Sequence, residues 1–183
     1  ERAELWAKRA VMHGNNDGFL MLFELRRLGV GSQPNLSEGI KFLMTGASSG
    51  GRMCVLRYGE MLIEGRFVPR DVERGIKLLE AAVPRDRDGS IRAVLAERYY
   101  HGGLVPQNPA RAFKLAKEAA DLNNADAWSI LGELYAFGLG VEADWTTAVD
   151  CYSKAISLGN LAAMVNLGRH YLDLDAQLGE EAG

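Results

Sequence analysis

The chain has 183 residues, of which 48% are hydrophobic, and its formal net charge is −3. This composition is typical of a globular domain with a substantial core, and the slightly acidic balance argues against a general affinity for nucleic acid. No apolar run approaches the eighteen or so residues that a membrane-spanning helix needs, so we expect no direct membrane insertion. The sequence gives no indication of the compartment in which the protein works.

One helix–turn–helix pattern recurs along the chain at steps of 36 or 37 residues. The clearest copy is 125–160, with a first helix over about 125–137 and a second over about 145–158. Repetition at this period is the signature of a helical solenoid. No segment shows the alternation of a strand, so the pattern predicts an all-α fold.

Three sets of positions agree on the register of this repeat. Glycine follows the first helix, where a left-handed cap is favoured, at Gly29, Gly65, Gly102 and Gly138. Asp or Asn precedes the second helix as an N-cap, at Asn35, Asp71, Asn108 and Asp144. Small residues recur within the second helix and predict close helix crossings, at Gly39, Gly75, Ala112 and Ala148 and again at Ala10, Gly46, Ala82, Ala119 and Ala155.

In chain order, we predict a lone second helix over 1–14, four full repeats over 15–50, 51–87, 88–124 and 125–160, and a partial repeat over 161–183. All of these would form one repeat domain over 1–183. The polar stretch PRDRDG at the end of the second repeat predicts a longer connection. In the partial repeat Leu174 stands where a glycine would end the first helix, which predicts an altered end. Because the sequence starts inside one helix and stops soon after another, we expect a fragment of a longer protein. Aromatic residues at repeated packing positions are expected in the core, namely Tyr99, Tyr135, Tyr152 and Tyr171.

The segment LGELYAFGLGVEADWTTAVDCYSKAISLGN resembles the Sel-one-like repeat, a relative of the tetratricopeptide repeat. The resemblance covers nearly the whole chain and is weakest over 15–87. It implies a right-handed superhelical solenoid of antiparallel helix pairs that serves as a scaffold for protein interaction, with no catalytic residues and no cofactor. Some members carry a disulfide in each repeat. Here Cys54 and Cys151 lie two repeats apart, so we expect both to be buried free thiols.

Two features resemble enzyme chemistry. TGASSG at 45–50 is similar to the glycine-rich turn of short-chain dehydrogenases, which would make the chain a nucleotide-cofactor enzyme. The repeat register instead predicts the end of a second helix there, with Gly46 as a small crossing residue. His13, His101 and His170 fall in separate repeats without metal-ligand spacing, so no metal site is expected.

In tetratricopeptide geometry the first helices line a concave groove, and the same arrangement predicts where a partner would bind. Glu133 recurs as Glu97, Glu60 and Glu24, which would place carboxylates in register along the groove, suited to a basic peptide. The alternative is a solvated face, because glutamate is a good helix former. The predicted partner-binding residues are Glu24, Met53, Leu56, Glu60, Ile63, Glu97, Tyr100, His101, Ser129, Glu133 and Phe137.

The sequence therefore predicts a non-catalytic adaptor that binds a protein or peptide in its concave groove, and the row of carboxylates suits a basic partner. A second hypothesis is a regulatory or assembly arm of a larger enzyme or membrane-associated protein. The enzyme that TGASSG would imply is the remote alternative.

Overall fold

The computed structural model describes residues 2–181, with side chains over 2–172. Residues 2–181 form ten α-helices and no strand, which confirms the all-α prediction. The helices are α1 (Arg2–Met12), α2 (Gly18–Leu28), α3 (Leu36–Ser48), α4 (Arg52–Glu64), α5 (Val72–Ala82), α6 (Ser90–His101), α7 (Pro109–Ala120), α8 (Ala125–Phe137), α9 (Trp145–Ser157) and α10 (Leu161–Glu181). Within this part of the chain, no helix combines the length and apolar character needed to cross a membrane.

The chain divides into two compact units with the boundary between Arg85 and Asp86. The N-terminal unit contains α1 to α5, in which α2 packs on α3 and α4 packs on α5. The C-terminal unit contains α6 to α10, in which α6 packs on α7, α8 on α9 and α9 on α10. A short 3-10 turn at Val83–Arg85 precedes the boundary and overlaps the start of the polar PRDRDG stretch. The predicted single domain is thus two units, each built of helical hairpins.

The helix boundaries come from the local signals that recur in the sequence. The side chains of Asn35, Asp71, Asn108 and Asp144 each accept a hydrogen bond from the backbone N–H three residues later. These bonds satisfy donors that the first turn of a helix leaves free. At the other end, the glycines after α2, α4 and α8 have φ angles of 71°, 72° and 65°. A residue with a side chain adopts this left-handed conformation only with strain. The predicted start signals and three of the four stop signals are confirmed, whereas Gly102 after α6 has φ 72° and ψ −140°, outside the left-handed helical region.

Small residues allow the two helices of each hairpin to approach closely. Gly75, Ala112 and Ala148 are buried. A Cβ atom on Gly75 would lie 2.7 Å from Cγ1 of Ile63 and 2.8 Å from the carbonyl oxygen of Gly59. Any larger residue there would force the hairpin apart.

The predicted core aromatics differ in their burial. Tyr99 and Tyr152 are buried, and Tyr135 is partly buried. Tyr171 is 44% exposed, because its packing against Trp145, with ring centroids 5.5 Å apart, covers only part of the ring. The prediction of a core position for Tyr171 is therefore wrong. At Leu174, where the missing glycine predicts an altered end, helix α10 continues and ends only at Glu181.

Both cysteines are buried and free, as predicted. Burial raises the pKa of the Cys54 thiol to about 12 and that of the Cys151 thiol to about 11.

The TGASSG stretch ends helix α3 and has no strand before it. The hydroxyls of Thr45 and Ser48 donate to the carbonyls of Lys41 and Met44 in the preceding turn, at 2.8 and 2.9 Å. A dinucleotide-binding turn needs a strand leading into a glycine-rich loop. The remote nucleotide-cofactor alternative therefore lacks its structural basis.

Candidate functional site

A cavity of about 370 Å³ lies in the C-terminal unit, lined by α6, by α8 and by the start of α10. We call it the C-terminal pocket. It is lined by Ala93, Val94, Glu97, Tyr100, His101, Asp126, Ser129, Ile130, Glu133, Asn160, Ala162 and Asn166. Five of the predicted partner-binding residues meet here, namely Glu97, Tyr100, His101, Ser129 and Glu133.

Helical spacing explains why these side chains converge. On α8 the lining residues stand at positions 126, 129, 130 and 133, which share one helix face. On α6 the positions 93, 94, 97, 100 and 101 do the same. The opposite face of α8 packs on α9, where Gly132 contacts the ring of Tyr152. The packing of α8 on α9 therefore determines which face of α8 lines the pocket.

The carboxylate of Glu133 is held in the pocket by side chains from both neighbouring helices, α6 and α10. Its Oε2 accepts a hydrogen bond from the Tyr100 hydroxyl at 2.5 Å, and its Oε1 accepts one from Nδ2 of Asn166 at 2.6 Å. Burial, and then the hydrogen bond to Glu133, raises the pKa of Tyr100 well above its ordinary value. Tyr100 thus keeps its proton and remains a donor. The Glu133 carboxylate is therefore fixed in position, and each of its oxygens can still accept a further hydrogen bond.

Two asparagines complete the polar part of the pocket. The Nδ2 of Asn160 donates to Asp126 at 2.8 Å, and its Oδ1 accepts from the N–H of Ala163 at 2.8 Å, capping α10. Asn166 donates to Glu133 and accepts from Nη2 of Arg169 at 3.1 Å. Sequence reasoning missed both asparagines. Asn160 could have been found, since Asn124 caps α8 in the same way one repeat earlier.

The pocket is acidic. Among the residues that the structure describes, its lining includes the carboxylates of Glu97, Asp126 and Glu133 and no lysine or arginine. Glu97 is exposed, and within the part of the chain that the structure describes its carboxylate has no hydrogen-bond or ion-pair partner. Carboxylates on low-dielectric walls concentrate a negative potential that attracts cations.

The corresponding glutamates of the N-terminal unit lie in a different environment. Glu24 and Glu60 line a cavity of about 200 Å³ in that unit. Its lining carries three carboxylates and three guanidinium groups, and Nη2 of Arg27 lies 2.6 Å from Oε2 of Glu24. This cavity is charge-balanced, so the glutamate positions are not equivalent in the two units.

The remaining predicted residues lie outside both cavities. Met53 is exposed at the start of α4, and its backbone N–H donates to Asp17 at 2.7 Å. Phe137 is 57% exposed and packs against His170, with ring centroids 5.0 Å apart. Leu56 and Ile63 are buried, Ile63 completely. The expectation that these two side chains contact a partner is corrected, because both belong to the core of the N-terminal unit.

Comparison with known proteins places these features in context. The family model of the Sel1 repeat matches residues 53–83, 93–124 and 129–160. An uncharacterized protein of Neisseria meningitidis serogroup B is 29% identical over 167 residues, which are 91% of this chain and 34% of the relative. The chain thus spans about a third of the length of this curated relative.

Solved structures share the fold. A Sel1 repeat protein from Oxalobacter formigenes is 26% identical with a TM-score of 0.79, over 92% of this chain and 68% of that one. The c5321 protein, a protective antigen of uropathogenic Escherichia coli strains with an SLR fold, is 23% identical with a TM-score of 0.77, over 92% of this chain and 36% of that one. With the helices described above, these similarities establish an all-α helical repeat solenoid.

Proposed function

The chain belongs to the Sel1 repeat family, whose members are generally protein-interaction scaffolds, and we propose that it is a non-catalytic adaptor. In this proposal, a basic segment of a protein partner binds in the C-terminal pocket. The observation that carries this proposal is that three carboxylates line one cavity and that no lysine or arginine of the described part of the chain lines it with them. An enzyme active site is not needed to account for these groups.

The chemistry of the pocket suits a segment that carries lysine or arginine. Glu97 is exposed and unpaired within the described residues, so it can accept charge-assisted hydrogen bonds, which are stronger than neutral ones. Val94, Ile130 and the ring of Tyr100 offer apolar walls to the aliphatic part of such a side chain. Acidic groups at the opening would also speed the encounter with a basic partner.

A role as an arm of a larger protein is the second candidate. The observation that favours it is that the chain spans only 34% of its relative from Neisseria meningitidis. The two candidates are compatible, since an interaction arm would bind its partner through the same pocket.

The adaptor proposal is tested by measuring binding to an array of short peptides that differ in charge. We expect the wild type to select peptides containing lysine or arginine, with affinity that falls as salt is raised. Glu97→Lys should weaken binding to the selected peptides at least about tenfold, because it places a like charge in the site. Glu142→Lys makes the same charge change at an exposed position outside the pocket and is the matched control.

Two results would contradict the proposal. One is an absence of selection for basic peptides by the wild type. The other is an equal loss of binding in Glu97→Lys and Glu142→Lys, which would mean that net charge rather than the pocket governs binding. Helicity measured by circular dichroism should be the same in all three proteins.

A further inference from the structure

We infer that the C-terminal pocket accepts a single arginine side chain of the partner, in preference to lysine. This inference rests on the proposed function and narrows it from a basic segment to one side chain. It follows from the arrangement of hydrogen-bond acceptors and of aromatic and apolar walls around the cavity.

The acceptors are distributed over the cavity instead of being gathered at one point. Glu97 comes from α6, while Asp126 and Glu133 stand two turns apart on α8. Glu133 is fixed by Tyr100 and Asn166, so its remaining lone pairs are held in set directions. A guanidinium has five N–H donors in a planar fork, whereas an ammonium has three donors on one atom. Asp126 and Glu133 are about 10 Å apart along the helix, which exceeds the width of one guanidinium, so the fork suits Glu133 together with an acceptor one turn away.

Ser129 supplies an independent indication of a ligand. It is only 7% exposed, and it lines the cavity on α8 between Asp126 and Glu133. Among the residues that the structure describes, none forms a hydrogen bond with its hydroxyl. The hydroxyl oxygen is not one of the fully enclosed polar atoms that lack a partner, so it is open to the cavity, where an entering donor can form a hydrogen bond with it. A guanidinium can donate to this oxygen while it also donates to a carboxylate.

The walls favour a flat and weakly hydrated cation. The Tyr100 and His101 rings lie side by side, with centroids 4.6 Å apart, and both line the cavity. Guanidinium groups stack on aromatic faces and lose their hydration more easily than ammonium groups do. Ala93, Val94, Ile130 and Ala162 also line the cavity and can pack against the three methylenes of an arginine.

A guanidinium of the chain itself already contacts this polar network. Arg169 donates to Asn166, which in turn donates to Glu133, although Arg169 is not part of the cavity lining. Its positive charge opposes a second cation in the pocket. Replacing it with glutamine should therefore strengthen arginine binding severalfold.

The test is a titration of the isotope-labelled full chain with N-acetyl-arginine amide and, separately, with N-acetyl-lysine amide, followed by NMR. We expect the arginine derivative to shift the amide signals of pocket residues on α6 and α8, and to bind at least about tenfold more tightly than the lysine derivative. Ser129→Ala should weaken arginine binding severalfold and leave lysine binding nearly unchanged. Ser153→Ala, which removes an exposed serine of α9, is the matched control and should change neither.

Each result decides between the possibilities. Equal affinity for the two derivatives, or an equal effect of Ser129→Ala on both, would overturn the arginine inference and leave the adaptor proposal in place. Binding of basic peptides in the array without any shift of pocket signals by the arginine derivative would do the same. An absence of binding in both experiments would overturn the inference and the proposed function together.

Discussion

Gly132 and Gly168 occupy the same position of successive repeats, yet alanine should have opposite effects at the two sites. A Cβ atom on Gly132 would lie 2.7, 2.8 and 2.9 Å from Cε1, Cδ1 and Cζ of Tyr152. A Cβ atom on Gly168 would meet nothing within 4 Å. Both glycines are helical and both lie in the C-terminal unit, so the two substitutions differ mainly in packing.

The ring of Tyr152 has little room to move away from a new methyl group. It is completely buried among Ala148, Ala155 and Ala163, and its hydroxyl lies 3.0 Å from Nε2 of His170. Overpacking of this kind costs about 1–3 kcal/mol. Alanine in place of glycine stabilises a helix by about 1 kcal/mol. Gly132→Ala should therefore destabilise the unit by about 1 kcal/mol, whereas Gly168→Ala should stabilise it by up to about 1 kcal/mol.

Urea denaturation followed by circular dichroism gives the free energy of unfolding of each variant. The helix-propensity contribution is common to both, so the difference between the variants, about 1–3 kcal/mol, measures the contact with Tyr152. The double variant Gly132→Ala, Tyr152→Leu should be less destabilised than the sum of its single changes, because the shorter side chain leaves room for the methyl group. Equal stabilisation by the two alanine substitutions would refute the packing argument.

Two further predictions concern titratable groups. Hydrogen bonds from Arg26, and then from Lys8, lower the pKa of Glu4 from 4.5 to about 2. This carboxylate therefore contributes stability that is complete above pH 4.5 and is lost as the pH falls towards 2, so the destabilisation by Glu4→Gln should shrink over that range. A pH-independent effect in denaturation experiments would contradict the ion pair. Because burial raises the pKa of Cys54 and Cys151, a thiol-specific reagent near pH 8 should modify neither until urea unfolds the chain, and equal rates with and without urea would contradict their burial.

Sequence reasoning located the helices well because their boundaries depend on local chemistry. The caps and the helix-ending glycines act within one turn, and their period shows where each helix starts and stops. The division at Arg85 could not be foreseen in the same way, since it depends on which hairpins pack together.

The errors at Leu56 and Ile63 have a particular cause. Both share a face of α4 with Glu60, which lines a cavity, so spacing alone assigns all three to the groove. Helix α4, however, packs against α2, α3 and α5, and most of its circumference is buried. In the sequence of α4, Arg57, Glu60 and Glu64 fall on one narrow stripe of the helix, and the wide apolar face that remains is the mark of a helix enclosed by several neighbours. Asn166 is different, because Val94 and Ile130 hold its position in the two preceding repeats and give no sign of a polar role.

The glutamates show why a repeated residue does not by itself define a repeated function. In the N-terminal unit Arg27 lies three positions after Glu24, and Arg57 lies three positions before Glu60. In the C-terminal unit Val94 and Ile130 hold the positions three residues before Glu97 and Glu133. Side chains three residues apart are neighbours on a helix, so the first two carboxylates lie beside arginines and the last two beside apolar groups. The repeat pattern thus identifies the helix face that carries the glutamates, whereas the non-repeating neighbours decide where negative charge is left for a partner.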